Sequence, residues 1–430
     1  MHLAGVRPID VQLASKQVEV GLAQYEKSKA VWLPTVHVGG DYFHHEGSVQ
    51  NFEGVILRAN RTSAMVGAGA NLSVSVSDSI FAPLAAKQDL KAREAIARAF
   101  GNDVALAIAE AYFAVQQARG EYAGALTIVA ETEELVRKTE LLAEGLAPPV
   151  EATRARVELA RRKQAAATAK ARWRNASAEL ARLLRLDPAV IIEPTEPPAL
   201  TVPLIDSKYT VDDLVVQALL NRPELEAHRA VVKANLERLR QEKLRPLIPS
   251  LLVRSVSTNP SGTLGFGTFG GGAGNRLGNY SSRFDYDAQL VWEFRNLGFG
   301  NRANILERKA ELDSATLELY RLQDRIASEV VKAFADANAA AERLKEAGPA
   351  LLEAADSYKK NVAGLSQTRR VGNFLTLIVR PAEAVAAVQA LAQANDDYMA
   401  AVADYNRAQF RLYRAIGYAP QPLVEILPSR

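Results

Sequence analysis

The 430-residue chain contains no cysteine, which excludes disulfides, thiolate metal sites, a thiol nucleophile and a lipid-modified cysteine within these residues. No run of about 18 apolar residues occurs, so no membrane-spanning helix is predicted. The most suggestive stretch, Phe374 to Val379, is far too short. Neither charge sign is in excess. Lys and Arg number 52 against 49 Asp and Glu, a balance that leaves no electrostatic footprint for nucleic acid. The start, Met1 to Asp10, has no basic segment leading into an apolar one, so it does not read as a signal peptide. Histidines are few. His44 and His45 are neighbours that would point to opposite faces of a strand, and His2, His37 and His228 share no ligand spacing, so no metal is expected. P-loop, HExxH and nucleophile-elbow patterns are missing, and the carboxylates lie on helical stretches without pocket context. Neither an enzyme nor a cofactor is read from these residues.

What is present is the composition of an ordered protein, 48% hydrophobic and 23% charged, arranged as two similar halves. Arg7-Pro8 returns as Arg222-Pro223, Pro34 as Pro249, Phe81 as Phe299 and Lys91-Ala92 as Lys309-Ala310. Tyr112 returns as Phe334, Gly145 as Gly372 and Asp187 as Gly417. The sequence separation between partners grows only in small steps, as short loop insertions would make it. Each half reads helix, strand, loop, strand, very long helix, break, long helix. The first repeat covers 1–187, with strands at about 35–45 and 70–80 and a helical hairpin at about 84–186. A Pro-rich connector occupies 188–209, where prolines at 188, 194, 197, 198 and 203 bar a helix. The second repeat covers 210–417, with strands at about 250–258 and 283–295 and a hairpin at about 302–416; 418–430 form a tail. Thr210 to Asp213 reads as a capping box opening the next helix. The counterpart of that helix in the first repeat would lie before Met1. The expectation is therefore a truncated or processed start.

Phe284 to Phe294 alternates strictly. Phe284, Tyr286, Ala288, Leu290, Trp292 and Phe294 share one face, while Asp285, Asp287, Gln289 and Glu293 take the other. Its length suits the roughly 9–11 residues of a tilted membrane strand, and aromatics at both ends suit the interfaces. Leu72, Val74 and Val76 are expected outward in the first repeat with serines between them, and Val36, Val38 and Tyr42 share another face. A soluble sheet with one buried face is the alternative for any single strand. Four strands, however, cannot close a barrel, and left open they expose unpaired edges; several copies of the chain must then complete one, and three would supply twelve strands. The Gly-rich stretch from Thr258 to Ser282 and the segment Gly47 to Arg61 are expected as loops. Gly265 to Gly270 formally matches GxGxxG, but a membrane-type strand follows it where a nucleotide site needs a helix.

The long Ala-rich stretches from Leu84 and Ala303 predict helices of about 60 residues, roughly 90 Å each, packed side by side as coiled coils. A kink is expected at Gly348-Pro349, and breaks at 144–149 and 370–373 turn the chain back. A soluble periplasmic coiled-coil scaffold or adaptor without a pore accounts for the helices but not for alternating strands recurring in both halves.

The motif Ala218-x-x-Asn221-Arg222-Pro223-Glu224-Leu225, the strand entries Leu33-Pro34 and Ile248-Pro249, the turn Phe299-Gly300-Asn301-Arg302, Gly145 and Gly372, and the Ile416-Gly417 ending together resemble the TolC-like outer membrane factor (outer membrane efflux protein) family. The resemblance covers essentially the whole chain. It implies a mainly α protein with a small β part: a homotrimer whose strand pairs share one β-barrel in outer-membrane lipid and whose hairpins form an α-helical coiled-coil barrel in the periplasm. It implies a duct for small molecules or proteins in a tripartite efflux or type I secretion system, with a periplasmic adaptor and an inner-membrane pump as partners. Carried over by position, the docking tips are Gly145, Leu146 and Ala147, and Val371, Gly372, Asn373, Phe374, Leu375 and Thr376, where the glycines would supply the positive φ of a turn. The lipid-facing residues are Leu72, Val74, Val76, Phe284, Tyr286, Leu290, Trp292 and Phe294. Where the family places carboxylates after the second tip, this chain has Ile378 and Pro381 among Arg369, Arg370 and Arg380. An arginine-lined tunnel mouth would favour anionic cargo, against the alternative of a solvated face.

Overall fold

The computed structural model describes residues 9–206, 208–255, 264–371 and 374–418. The chain forms two compact units, and neither is a sequence half. One gathers Ser15–Ala95 with Glu226–Arg321; the other gathers Ile96–Leu225 with the chain from Leu322 onward and the start of the first helix. The halves interleave because strands of one pair with strands of the other.

In the strand unit, helix α1 (Ile9–Lys29) leads to β1 (Thr35–Gln50) and β2 (Ile56–Ser75), and helix α2 (Val76–Ala143) follows directly. From the second half come α5 (Pro223–Leu244), β3 (Ser250–Arg254), β4 (Phe266–Ala273), β5 (Gly278–Phe284), β6 (Asp287–Val291) and α6 (Phe299–Gly364). All six strands form one antiparallel sheet of four lanes. β1 pairs with β2; β2 pairs with β3 through Asn71–Ser75 and with β4 through Arg61–Ala68; β3 pairs with β6 and β4 with β5. The third lane is thus β3 plus β4, stitched by the N–H of Ser255 to the carbonyl of Ala70 and the N–H of Gly265 to that of Ala68. Among the helices of this unit, Ala92 and Ala95 of α2 meet Ala227 and Ala230 of α5, small enough for close helix approach. Asp89 and Asp78 of α2 bond Arg238 at 2.5 Å and Arg245 at 2.6 Å.

Several expected boundaries change. The segment 47–61 is not one loop: β1 runs to Gln50 and β2 starts at Ile56. Between them Asn51 closes an Asx turn by accepting the N–H groups of Glu53 and Val55. The Gly-rich stretch holds β4 and β5, and its glycines explain why. A Cβ on Gly67 would sit 2.1 Å from the carbonyl oxygen of Phe266, so bare backbone is what lets β2 and β4 approach, and bare backbone leaves no alternation to read. Gly265 to Gly270 therefore leads into a strand, and no nucleotide cradle forms. Strand β6 ends at Val291, not 295, and positions 256–258 of the expected third strand lie outside the described residues. The long helix opens at Val76, before Pro83, because Ser75, Ser77 and Asp78 supply the hydroxyls and the acid that a helix start prefers.

In the helical unit, α2 returns as α3 (Pro149–Leu184), and α6 returns as α7 (Pro381–Ala415) after a small ribbon of β7 (Thr368–Val371) and β8 (Phe374–Leu377). Helix α6 passes through Gly348-Pro349 without ending. Ile128, Leu135, Tyr358, Leu365, Val388 and Leu391 form the core shared by α2, α6 and α7. The connector is a strap held by side chains. Asn406, fully buried, accepts the N–H of Val202 and donates to the carbonyl of Leu200, Gln409 accepts from Leu204 and Ile205, and Gln116 donates to the carbonyl of Pro197. These bonds satisfy a backbone that proline keeps out of regular structure. The connector ends in the Thr210–Asp213 capping box of helix α4 (Val211–Asn221). Between α4 and α5, Arg222 is 3% exposed and donates to Glu224, to Glu329 and to the carbonyl of Ala415 at the end of α7.

Candidate membrane-spanning surface and distal tips

Residues paired across an antiparallel ladder share a face, so the register sorts every strand residue. One face carries Val36, Val38 and Tyr42 of β1, Ala64, Val66, Ala68, Ala70, Leu72 and Val74 of β2, and Leu251 and Val253 of β3. Phe266 and Thr268 of β4, Ser282 and Phe284 of β5, and Ala288 and Leu290 of β6 extend it. Its large side chains stand open: Val38 is 81% exposed, Val66 68%, Phe284 71% and Leu290 60%. From the row of Val74, Leu251 and Leu290 to the row of Tyr42 and Ala64, the belt follows β2 for about ten residues, or roughly 33 Å of tilted strand. That is the reach needed to cross a hydrocarbon core. Beyond it the same face turns polar through Thr62, His44, Glu46, Asn60 and Arg58. At the end where the helices attach, Trp32, Leu33, Leu247, Trp292, Phe294 and Phe299 are all exposed, an aromatic collar of the kind that marks a membrane interface. A soluble protein rarely leaves a largely apolar face of this extent uncovered.

The opposite face is polar and more enclosed. Along β1, Asp41, Phe43, His45, Gly47 and Val49 are half-buried while their neighbours are exposed. The same face gathers Asn71, Ser73, Arg254, Arg283, Asp285, Asp287 and Gln289, with Met65, Leu252 and Phe269 as apolar residues among them. Arg254 meets Asp287 at 2.5 Å and Arg283 meets Asp285 at 2.7 Å. On this face single side-chain atoms of Asp41, His45, Asn71 and Arg254 are buried without a hydrogen-bond partner among the described residues. His44 and His45 fall on opposite faces, as adjacent strand residues must. The outer edges of β1 and of the β5–β6 lane have no strand beside them among the described residues.

Of the expected lipid-facing residues, Phe284, Tyr286, Leu290, Trp292 and Phe294 are 52–72% exposed and Leu72 is half-buried. Two differ. Val74 keeps the right face but is fully buried; it sits in the last strand row but one, close to where the chain turns into helix. Val76 is the first residue of α2, where strand alternation has ended. Val36, Val38 and Val66, also lipid-face residues by register, are as exposed; Val66 hides in a glycine-rich strand whose pattern alone does not sort faces.

At the first tip, the N–H groups of Gly145, Leu146 and Ala147 all turn to the carbonyl of Leu142, and Pro148 opens α3. Gly145 is not at positive φ, and Ala147 is buried, so Leu146 is the apolar side chain presented there. At the second tip the expected helical turn is replaced by the β7–β8 ribbon, which pairs Thr368 with Leu377, Arg369 with Thr376, Arg370 with Leu375 and Val371 with Phe374. Gly372 and Asn373 lie outside the described residues. Pro381 starts α7 as its first residue, with Arg380 as the preceding cap, so it opens the helix and does not bend it. Arg369, Arg370 and Arg380 are exposed.

Residues 2–184 match the family model described as outer membrane efflux protein. No curated protein sequence matches the chain. Among solved structures, a membrane protein from Pseudomonas aeruginosa is similar with a TM-score of 0.79 at 18% identity, over 97% of this chain and 92% of that one. The CmeC outer membrane channel of Campylobacter jejuni is similar at 0.74 and 14%, over 99% and 86%. The open state of the MtrE outer membrane channel of Neisseria gonorrhoeae is similar at 0.74 and 15%, over 97% and 87%. At these identities the likeness is one of fold. The family match over residues 2–184 and the fold shared over nearly the whole chain both make this chain similar to outer membrane efflux channels.

Proposed function

We propose that the chain is one protomer of a homotrimeric outer-membrane duct that passes cargo without covalent chemistry, as the exit of a tripartite efflux or type I secretion system. The observation that carries this reading is the two-faced sheet: an exposed apolar belt on one side, a polar enclosed face on the other, and free edges at β1 and at β5–β6. These edges come from different halves of the chain, so the β1 edge of one copy would meet the β5–β6 edge of the next, a head-to-tail contact that closes as a ring. The belt residues, Leu72, Phe284, Tyr286 and Leu290 with Val38 and Val66, would face lipid, and Trp292 and Phe294 the interface. Helices α2 and α6, of 68 and 66 residues, supply about 100 Å each, a reach suited to the periplasm. The tips at Gly145–Ala147 and Val371–Thr376 would meet a periplasmic adaptor, itself coupled to an inner-membrane pump.

The absence of native cysteine allows a clean test. Single cysteines along β1 between Val36 and Tyr42, combined with others along β5–β6 between Ser282 and Leu290, should give a disulfide-linked trimer in outer-membrane fractions for at least one register. Recovery of full-length protein only as a soluble species, with no inter-subunit link from any pair, would overturn the reading.

A further inference from the structure

The β7–β8 ribbon belongs to neither the belt nor the helix packing, and a pair of strands alone is marginally stable in water. It forms a sheet of its own. The N–H of Ile378 donates to the carbonyl of Gln367, which fixes the phase of the ladder. Because antiparallel pairs alternate, Arg369 and Val371 also bond inward, while the backbone N–H and C=O of Thr368 and Arg370 point away from β8. Among the described residues no other strand pairs with β7, so its outer edge is open. It is also cationic. Along the helices, arginines such as Arg162, Arg182, Arg343, Arg407 and Arg411 hold carboxylates. Arg369, Arg370 and Arg380 hold none among the described residues. Arg369 and Arg370 lie on opposite faces of the ribbon, so an added strand would need acidic side chains on both of its faces.

We propose that the second tip captures an extended acidic segment of its periplasmic partner by strand addition to the β7 edge, the ladder supplying affinity and the arginines selecting consecutive carboxylates. This rests on the reading of the tips as docking elements.

The test uses the full-length protein in detergent and a dye-labelled octapeptide with paired glutamates between threonines; a glutamine version serves as control. The acidic peptide should bind, and the control should bind at least tenfold more weakly. Thr368→Pro removes an outward N–H at a position where an edge strand tolerates proline and leaves the charge unchanged; it should weaken binding at least tenfold. Arg369→Gln with Arg370→Gln should do the same and flatten the salt dependence. Equal binding by Thr368→Pro, or no binding of the acidic peptide to the native protein, would overturn strand addition. A double arginine variant that binds the peptide normally but passes anions less readily would overturn it too, assigning the arginines to the tunnel mouth. Replacing 368–377 by a Gly-Ser turn separates the two layers. Adaptor capture that survives the replacement rejects the docking reading itself; capture lost on replacement but untouched by Thr368→Pro rejects strand addition alone.

Discussion

A charge placed in the middle of the apolar belt gives the sharpest test of the membrane assignment. Val38 is the best site. It lies in the row of Ala68, Phe266 and Phe284, near the centre of the belt, and is 81% exposed, so Val38→Arg costs little packing within the chain. If that row lies at mid-membrane, the cost is that of moving a guanidinium into hydrocarbon, about 2–4 kcal/mol per protomer, or roughly a 30- to 700-fold shift in folding equilibrium. A trimer would carry three such sites, about 6–12 kcal/mol in all. The control is the preceding residue. His37→Arg puts the same charge on the face that already holds Arg61, Arg254 and Arg283 and should be nearly silent. Urea unfolding in lipid vesicles, read beside the yield of folded trimer in membrane fractions, distinguishes the two. Equal midpoints for the two variants, or a normal yield of Val38→Arg, would refute the reasoning.

Other outcomes follow from the helical unit. Arg222→Ala removes the buried donor to the Ala415 carbonyl, while Arg414 still holds Glu224 and Glu329, and should cost about 1–3 kcal/mol, read as a lower thermal midpoint by circular dichroism. Gly124→Ala would push a Cβ to 2.3 Å from Asn395 and should destabilise the packing of α2 on α7, whereas Gly101→Ala meets nothing within 4 Å and should stabilise by about 0.5–1 kcal/mol; thermal melts of the pair should move in opposite directions. Asn406→Ala frees two buried backbone groups of the connector and should cost about 2 kcal/mol, with faster proteolysis within 188–209. Burial, and after it the charge of Glu121, holds the carboxyl of Asp396 above the usual range. Its contribution to stability is therefore present below about pH 4 and lost as pH rises through the raised value. Asp396→Asn should raise the melting temperature at pH 7 and leave it unchanged at pH 3.

How much of this was legible depended on whether side chains carried the pattern. Where they did, as in Phe284 to Leu290 with aspartates and a glutamine between, alternation alone assigned faces that the ladder also assigns. The Thr210 capping box was readable for the same reason, since its chemistry is local. Where glycine carried the strand, as in β4 and the middle of β2, alternation vanished and a loop was the natural reading. The information that makes Gly67 and Phe266 neighbours is a backbone contact between the two halves of the chain, and no window along the sequence holds it.

The second tip failed for a different reason. Gly372-Asn373 between apolar residues is a turn signal in either setting, and a long Ala-rich helix on each side argues for a helical turn. Two local facts oppose that. Pro381 cannot sit inside a helix without losing a bond, so α7 has to begin there, and the residues before it, Phe374 to Leu377 with Thr376 among them, favour extended backbone. Helix α6 likewise ends at Gly364, where a Cβ would lie 2.4 Å from Val379. That close approach holds the two ends of the ribbon together, which lowers the entropic cost of pairing the residues between them. The ribbon is thus set by a proline and a glycine that flank it, and its free outer edge is a consequence of there being only two strands to pair.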